Sequence, residues 1–407
     1  MTTRSRIAVG LALILSLAGA RARAATPGPS LPEGFPSWLV ARATQSWLPR
    51  YDPRTDWNFT HAGAKAQQEC LRSMALPIPL SDAPTIAQVP GFASCNSEAL
   101  YYGFDGTPDY VRARECAYLE RALAVPRPIS GSPVLTMIYA NGLGVKPNLP
   151  LATKFACEAG GAPMEINTRV GDLNDRAAAA VQPRSPFDFC DDITSGRMEG
   201  VCTGVAASYR DARREKVIAR MASSYTPAQQ AAFSALQDAA ANYFNKHAVN
   251  EVDLVGTERG VFWIEDIEHS WEGFLRDLRA MEADELPAAD TTAVDHADAR
   301  LSILYQRVIA EPTLRQQPLR ELPPPGIPVM GRTVSRKGIR ADRDLWLAYR
   351  DAWLHFAAVR KPALPHNTMQ AWITNQRSYD LRCLLPVGAP GARDCARPSL
   401  LPSNMRE

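Results

Sequence analysis

The sequence predicts an all-α protein: a short solenoid of helix hairpins packed or linked to a helical bundle. Apolar residues recur at spacings of three and four through most of the second half, and no stretch alternates with period two for long. A near-repeat with an offset of 39 residues lies in the first half, within the range of helix-pair repeats. The length of 407 residues allows two or three domains, and 46% hydrophobic with 22% charged residues excludes wholesale disorder. The 33 prolines exceed the average usage of roughly 5% and point to many punctuated loops. The formal charge is +2 and no Lys/Arg run dominates, which argues against a nucleic-acid partner.

Residues 1–24 read as a removable export signal. Arg4 and Arg6 precede the apolar run Ile7 to Gly19, and Ala22-Arg23-Ala24 supplies a small-residue cleavage site. The run is shorter than the 18 or so residues of a spanning helix. Loss of Arg4, Arg6, Arg21 and Arg23 would leave 41 basic residues against 43 acidic, a net of −2. The eight cysteines, Cys70, Cys95, Cys116, Cys157, Cys190, Cys202, Cys383 and Cys395, all lie beyond the cleavage site. An even set in an exported chain suggests disulfides in a periplasmic or secreted protein. Sequence-local pairing would join Cys190 with Cys202 and Cys383 with Cys395. No C-x-x-C occurs, so a metal site is disfavoured.

Residues 25–65, with Trp38, Trp47 and Trp57, read as an irregular lead-in. In 66–180 the near-repeat aligns Thr107-Pro108-Asp109-Tyr110 with Lys146-Pro147-Asn148-Leu149. Each copy has a Pro-Asp/Asn turn opening a helix, and Ala113/Ala117 and Ala152/Ala156 present small faces. The apolar stretch Pro133 to Ala140 is expected to end at Gly142 and Gly144, where left-handed backbone is cheap. This segment resembles the Sel-like repeats, relatives of the tetratricopeptide repeat, with the better match at 131–160.

From 186 to 385 the pattern is of longer helices. Thr226-Pro227-Ala228-Gln229 forms an N-terminal capping signature, followed by Phe233, Leu236, Ala240, Tyr243 and Phe244. Further stripes are Ile267, Trp271, Phe274, Leu275 and Leu278; Leu301, Leu304, Tyr305 and Val308; and Ile339, Trp346, Tyr349, Trp353 and Phe356. Asn367 with Gln370 reads as the cap of a last helix carrying Met369, Trp372, Ile373 and Tyr379. The run Leu322 to Pro328 cannot be helical and reads as a stiff exposed loop. Residues 386–407 form a Pro/Arg-rich tail.

No catalytic motif emerges: there is no G-x-S-x-G, S-x-x-K, Walker loop, H-E-x-x-H or G-x-G-x-x-G. No cofactor is expected. Glu265 and His269, four apart on one helix, have the spacing of a metal pair but read better as a solvated ion pair. Asp191-Asp192 reads as a turn or helix start rather than a hydrolase dyad, and Asn58-Phe59-Thr60 is a glycosylation sequon. The Trp346, Tyr349, Trp353, Phe356 stripe has core spacing, with a binding face as the alternative.

Three stretches in 186–385 resemble the lysozyme inhibitor LprI family, a helical domain of exported bacterial proteins. They are Phe187 to Asp192 with Cys202, leading through Thr226 to Gln229 and Asn250 to Leu254; Ala297 to Tyr305, with Ser302 where the family usually has Asn; and Trp346-Leu347-Ala348-Tyr349-Arg350-Asp351 with Trp372 to Arg377. The family often places a cysteine shortly after the Arg-Asp, where this chain has Trp353 and Leu354. The resemblance implies a non-enzymatic exported protein that binds and blocks a lysozyme-like muramidase. Its candidate binding residues are Trp346, Tyr349, Arg350, Asp351 and Arg377, and the loop Pro323 to Pro328 could enter the enzyme's cleft. For Arg350 and Arg377 the competing reading is a pairing with a carboxylate that locks two helices. The alternative function is a scaffold for envelope protein complexes, acting through the helical repeats.

Overall fold

The computed structural model describes residues 53–386 except 86, 93, 105, 180–184 and 319–330, together with 388, 389 and 392. The regular elements among them are helices, and one isolated parallel bridge joins Arg315 and Ser335. Residues 1–24, expected to be an export signal, the tail beyond residue 392, Cys395 and the run Pro323 to Pro328, expected to be a loop, lie outside the described residues. None of the described helices is long and apolar enough to cross a membrane. The chain divides into two compact units at Cys202–Thr203.

The first unit carries α1 (Trp57–Thr60), α2 (Ala64–Met74), α3 (Ser97–Tyr102), α4 (Tyr110–Leu123), α5 (Ser132–Asn141), α6 (Leu149–Ala159) and α7 (Pro163–Ala178). The near-repeat is a repeated joint. Gly103 caps α3 at φ 70° and Gly142 caps α5 at φ 67°. A Cβ at either glycine would meet a proline, Pro108 at 2.7 Å or Pro147 at 2.5 Å. Six residues after each glycine, Asp109 N donates to Leu100 O and Asn148 N to Tyr139 O, each at 2.9 Å. Both side chains then cap the following helix, accepting from Arg112 N and Leu151 N at 3.0 and 3.1 Å. Every member of one joint lies 39 positions from its counterpart. The short helices are held by more than packing. Disulfides join Cys70 to Cys157, Cys95 to Cys116 and Cys190 to Cys202, and a fully buried Arg121–Glu158 pair at 2.6 Å joins α4 to α6.

The second unit begins inside α8 (Gly196–Ala222) and continues with α9 (Pro227–Asn250), α10 (Arg259–Glu282), α11 (Thr291–Ala310), α12 (Arg336–Arg360) and α13 (His366–Cys383). The capping box at Thr226 and Gln229 starts α9 as its sequence indicates. Helix α9 runs antiparallel to α12: Gln229 meets Val359 at one end, and Asn250 meets Asp342 at the other. The aromatic stripes interlock between them, with Phe233 against Phe356 and Tyr243 stacked on Tyr349. Trp353 is wholly excluded from water. Helices α11 and α13 run parallel, with Thr291 beside Asn367 and Arg300 beside Asn375. A smaller core of Leu304, Val308, Val334, Ile339 and Leu381 fills this end.

Three local expectations change. Helix α13 starts at His366 with Pro365 before it, so Asn367 sits in the first turn and reaches across to Thr291 instead of capping. Glu265 is buried, and His269 turns Nδ1 to its backbone carbonyl at 2.7 Å, so these two are not a solvated ion pair. Tyr379 is 42% exposed because the inward side of its turn is taken by Ser378 and Leu381.

Candidate functional site

The motif residues of the second unit separate into a buried set and a surface pair. Arg377 on α13 is buried and donates to both carboxylate oxygens of Glu251, at 2.8 and 2.5 Å, and to the Tyr243 hydroxyl at 3.0 Å. Glu251 is the residue that ends α9. One turn earlier, His247 places Nδ1 2.8 Å from Asp266 on α10 and Nε2 3.6 Å from Glu251. Asn250 donates to Asp342 Oδ1 on α12 at 2.6 Å, while the buried Oδ2 has no partner. Gly338 makes this approach fit, since a Cβ there would lie 3.0 Å from Asn250. One end of α9 is thereby tied to α10, α12 and α13.

Burial alone would strip the charge from His247, but Asp266 and then Glu251 outweigh it and raise the imidazole to about 9. Burial also opposes the charge on Arg377, and Glu251 more than offsets it, so the guanidinium stays charged. Asp342 behaves oppositely. Burial, reinforced by Glu251, pushes its carboxyl up to about 7, and a proton on the acid relieves a charge that lacks a second partner. At neutral pH His247 is a protonated lock between two carboxylates, which suits holding helices rather than accepting a proton from a substrate.

Trp346 and Tyr349 are buried in the aromatic core, facing inward as their spacing on α12 dictates. Arg350 and Asp351 stand at the surface. Arg350 donates through Nε and Nη2 to Asp351 Oδ1 at 3.1 and 3.0 Å and lies over the Trp346 ring at 5.3 Å. The Asp351 side chain is 64% exposed. The fold thus sends Arg377 inward and Asp351 outward from one motif.

Two disulfide groupings bear on cofactors. Cys95, Cys116 and Glu120 are the one set among the described residues close enough to share a metal ion, but the two sulfurs are bonded to each other at 2.01 Å and are not thiolate ligands. Cys383 is disulfide-bonded, and Cys395, its expected partner, lies outside the described residues. The disulfides fit an oxidising, extracytoplasmic setting.

The partners of Arg377 had a partial signal in the sequence. His247 and Glu251 are four apart on one helix, the spacing of a side-chain pair. Asp266 and Asp342 carry no such signal, because only packing brings them to α9. No family model matches the chain, and no curated protein or solved structure matches it.

Proposed function

We propose that the chain is an exported, non-enzymatic binding protein that acts like a lysozyme inhibitor, engaging a muramidase through the second unit. The observation that supports this reading is the fate of the motif's polar groups. Arg377 is committed to Glu251 inside the bundle, and Asp351 is presented beside Arg350 on a helix whose other face is locked into the aromatic core. A rigid helix offering a carboxylate at a fixed position suits recognition, because little side-chain or backbone entropy is lost on binding. The tests are clearing of a cell-wall suspension by several lysozymes with increasing amounts of the purified oxidised chain, and the same assay with Asp351→Lys. Dose-dependent inhibition that weakens in the variant supports the reading. Unchanged clearing with every lysozyme sinks it.

A second reading has its own support. The repeated joint at Gly103–Asp109 and Gly142–Asn148 stacks helix pairs in a regular way, and such stacks offer extended protein-binding surfaces. On this reading the first unit organises an envelope protein complex. Cross-linking in envelope extracts, comparing the parent chain with surface variants of α4 and α6, distinguishes it from muramidase binding.

A further inference from the structure

A cluster of cations lies where the C-terminal half of α11 meets the N-terminal half of α12. Arg315 and Arg336 are joined by their backbones, Arg336 N donating to Arg315 O at 2.8 Å. The Arg336 guanidinium donates to the carbonyls of Ile309, Glu311 and Leu314, at 2.8, 2.6 and 3.0 Å. Arg332 donates to the Thr313 hydroxyl and the Leu384 carbonyl, at 2.7 and 2.8 Å. Arg343 lies over the Tyr305 ring at 5.3 Å. Each of these partners is neutral, so the positive charges are fixed in place without being compensated. Arg315, Lys337, Arg340 and Arg343 are exposed.

The nearby acids of these segments are outnumbered by the six cations. Glu311 accepts from Thr313 N at 3.1 Å, Asp253 accepts from Thr333 N at 2.9 Å, and Asp342 is buried. Asp344 is the one exposed acid in the described parts of 301–344. Lys337 and Arg340 also stand in the first turns of α12, where the helix dipole disfavours cations, so the arrangement runs against local helix stability.

We propose that this face, centred on Lys337, Arg340 and Arg343, docks on an anionic phospholipid surface. Three of the four exposed cations, Arg315, Arg340 and Arg343, are guanidinium groups, whose planar forks match phosphate oxygens, while Arg332 and Arg336, their forks taken by protein oxygens, add charge alone. A protein partner would call for an apolar anchor at the centre of the patch. Ile303 is the one large apolar side chain exposed between 301 and 344 among the described residues. It lies two residues, about 200° of helix, from Tyr305, over which Arg343 sits, so it is on the side of α11 away from the patch. Clustered basic side chains attract anionic headgroups additively, and the attraction weakens with salt.

The test is co-sedimentation of the full chain with vesicles of phosphatidylcholine, with and without phosphatidylglycerol, at low and high salt, beside the triple variant Lys337→Glu, Arg340→Glu, Arg343→Glu. Comparing the two proteins cancels any contribution from other segments of the chain. The expected result is binding that requires phosphatidylglycerol, falls with salt, and drops by about tenfold or more in the variant. Melting curves verify that the variant stays folded, as its new acids suit the α12 N-terminus. Equal binding to both vesicle types, or undiminished binding by the variant, overturns the proposal. So does binding to soluble polyglutamate without recruitment to vesicles, which would assign the face to an acidic protein.

Discussion

Arg377 on α13 and Glu251 at the end of α9, 126 positions apart, meet as a two-pronged ion pair from which water is excluded. The pair anchors the end of the bundle at which His247, Asp266, Asn250 and Asp342 also converge. Removing one partner strands the other as a buried charge. Arg377→Met should therefore cost about 3–5 kcal/mol of stability, whereas adding Glu251→Gln to it should recover part of that loss. Urea denaturation of the two single variants and the double variant measures the coupling, and additive losses would contradict it.

The same cluster gives the second unit a pH dependence of predictable sign. The imidazole of His247 is raised from 6.5 to about 9, so its stabilising contribution is complete below pH 6.5 and is lost as pH rises through 9. The folded chain also keeps a proton on Asp342 up to about pH 7 that the unfolded chain sheds near 3.8, so stability again falls as pH rises across that interval. Thermal melts should show His247→Gln flattening the alkaline slope and Asp342→Asn flattening the acidic-to-neutral one. A slope unchanged in both variants would remove these groups as its cause.

Disulfide loss should rank by loop length. Cys70–Cys157 spans 87 positions and Cys190–Cys202 spans 12. Chain-entropy estimates for loops of these sizes are about 4.6 and about 2.9 kcal/mol. The Cys70→Ser/Cys157→Ser chain should melt lower than Cys190→Ser/Cys202→Ser, and differential scanning calorimetry reads the order directly.

Glycine at the repeated joint is a requirement of both backbone and space. Gly142→Ala places a Cβ on a left-handed residue and against Pro147. It should destabilise the first unit by about 1–3 kcal/mol, and Gly103→Ala should do the same against Pro108. Gly171→Ala, where a Cβ meets nothing within 4 Å on a helical residue, is the matched control and should stabilise slightly. Denaturation curves of the three variants separate the effects.

Helix type, the aromatic stripes, the capping box at Thr226 and the 39-residue joint were legible in the sequence by itself, because each depends on residues a few positions apart and on the fixed geometry of a helical turn. The Cys190–Cys202 bridge belongs with them, being short-range. The carboxylate that Arg377 meets, the acids around His247 and Asp342, and the inward or outward fate of neighbouring motif residues were decided by tertiary structure. The basic face is of the same kind. Arg315 and Arg336 are 21 positions apart in a chain with almost no net charge, and a backbone contact across that distance gathers them and brings Lys337 alongside. Periodicity tells which side of a helix seeks the core; the partner waiting there depends on how distant helices pack.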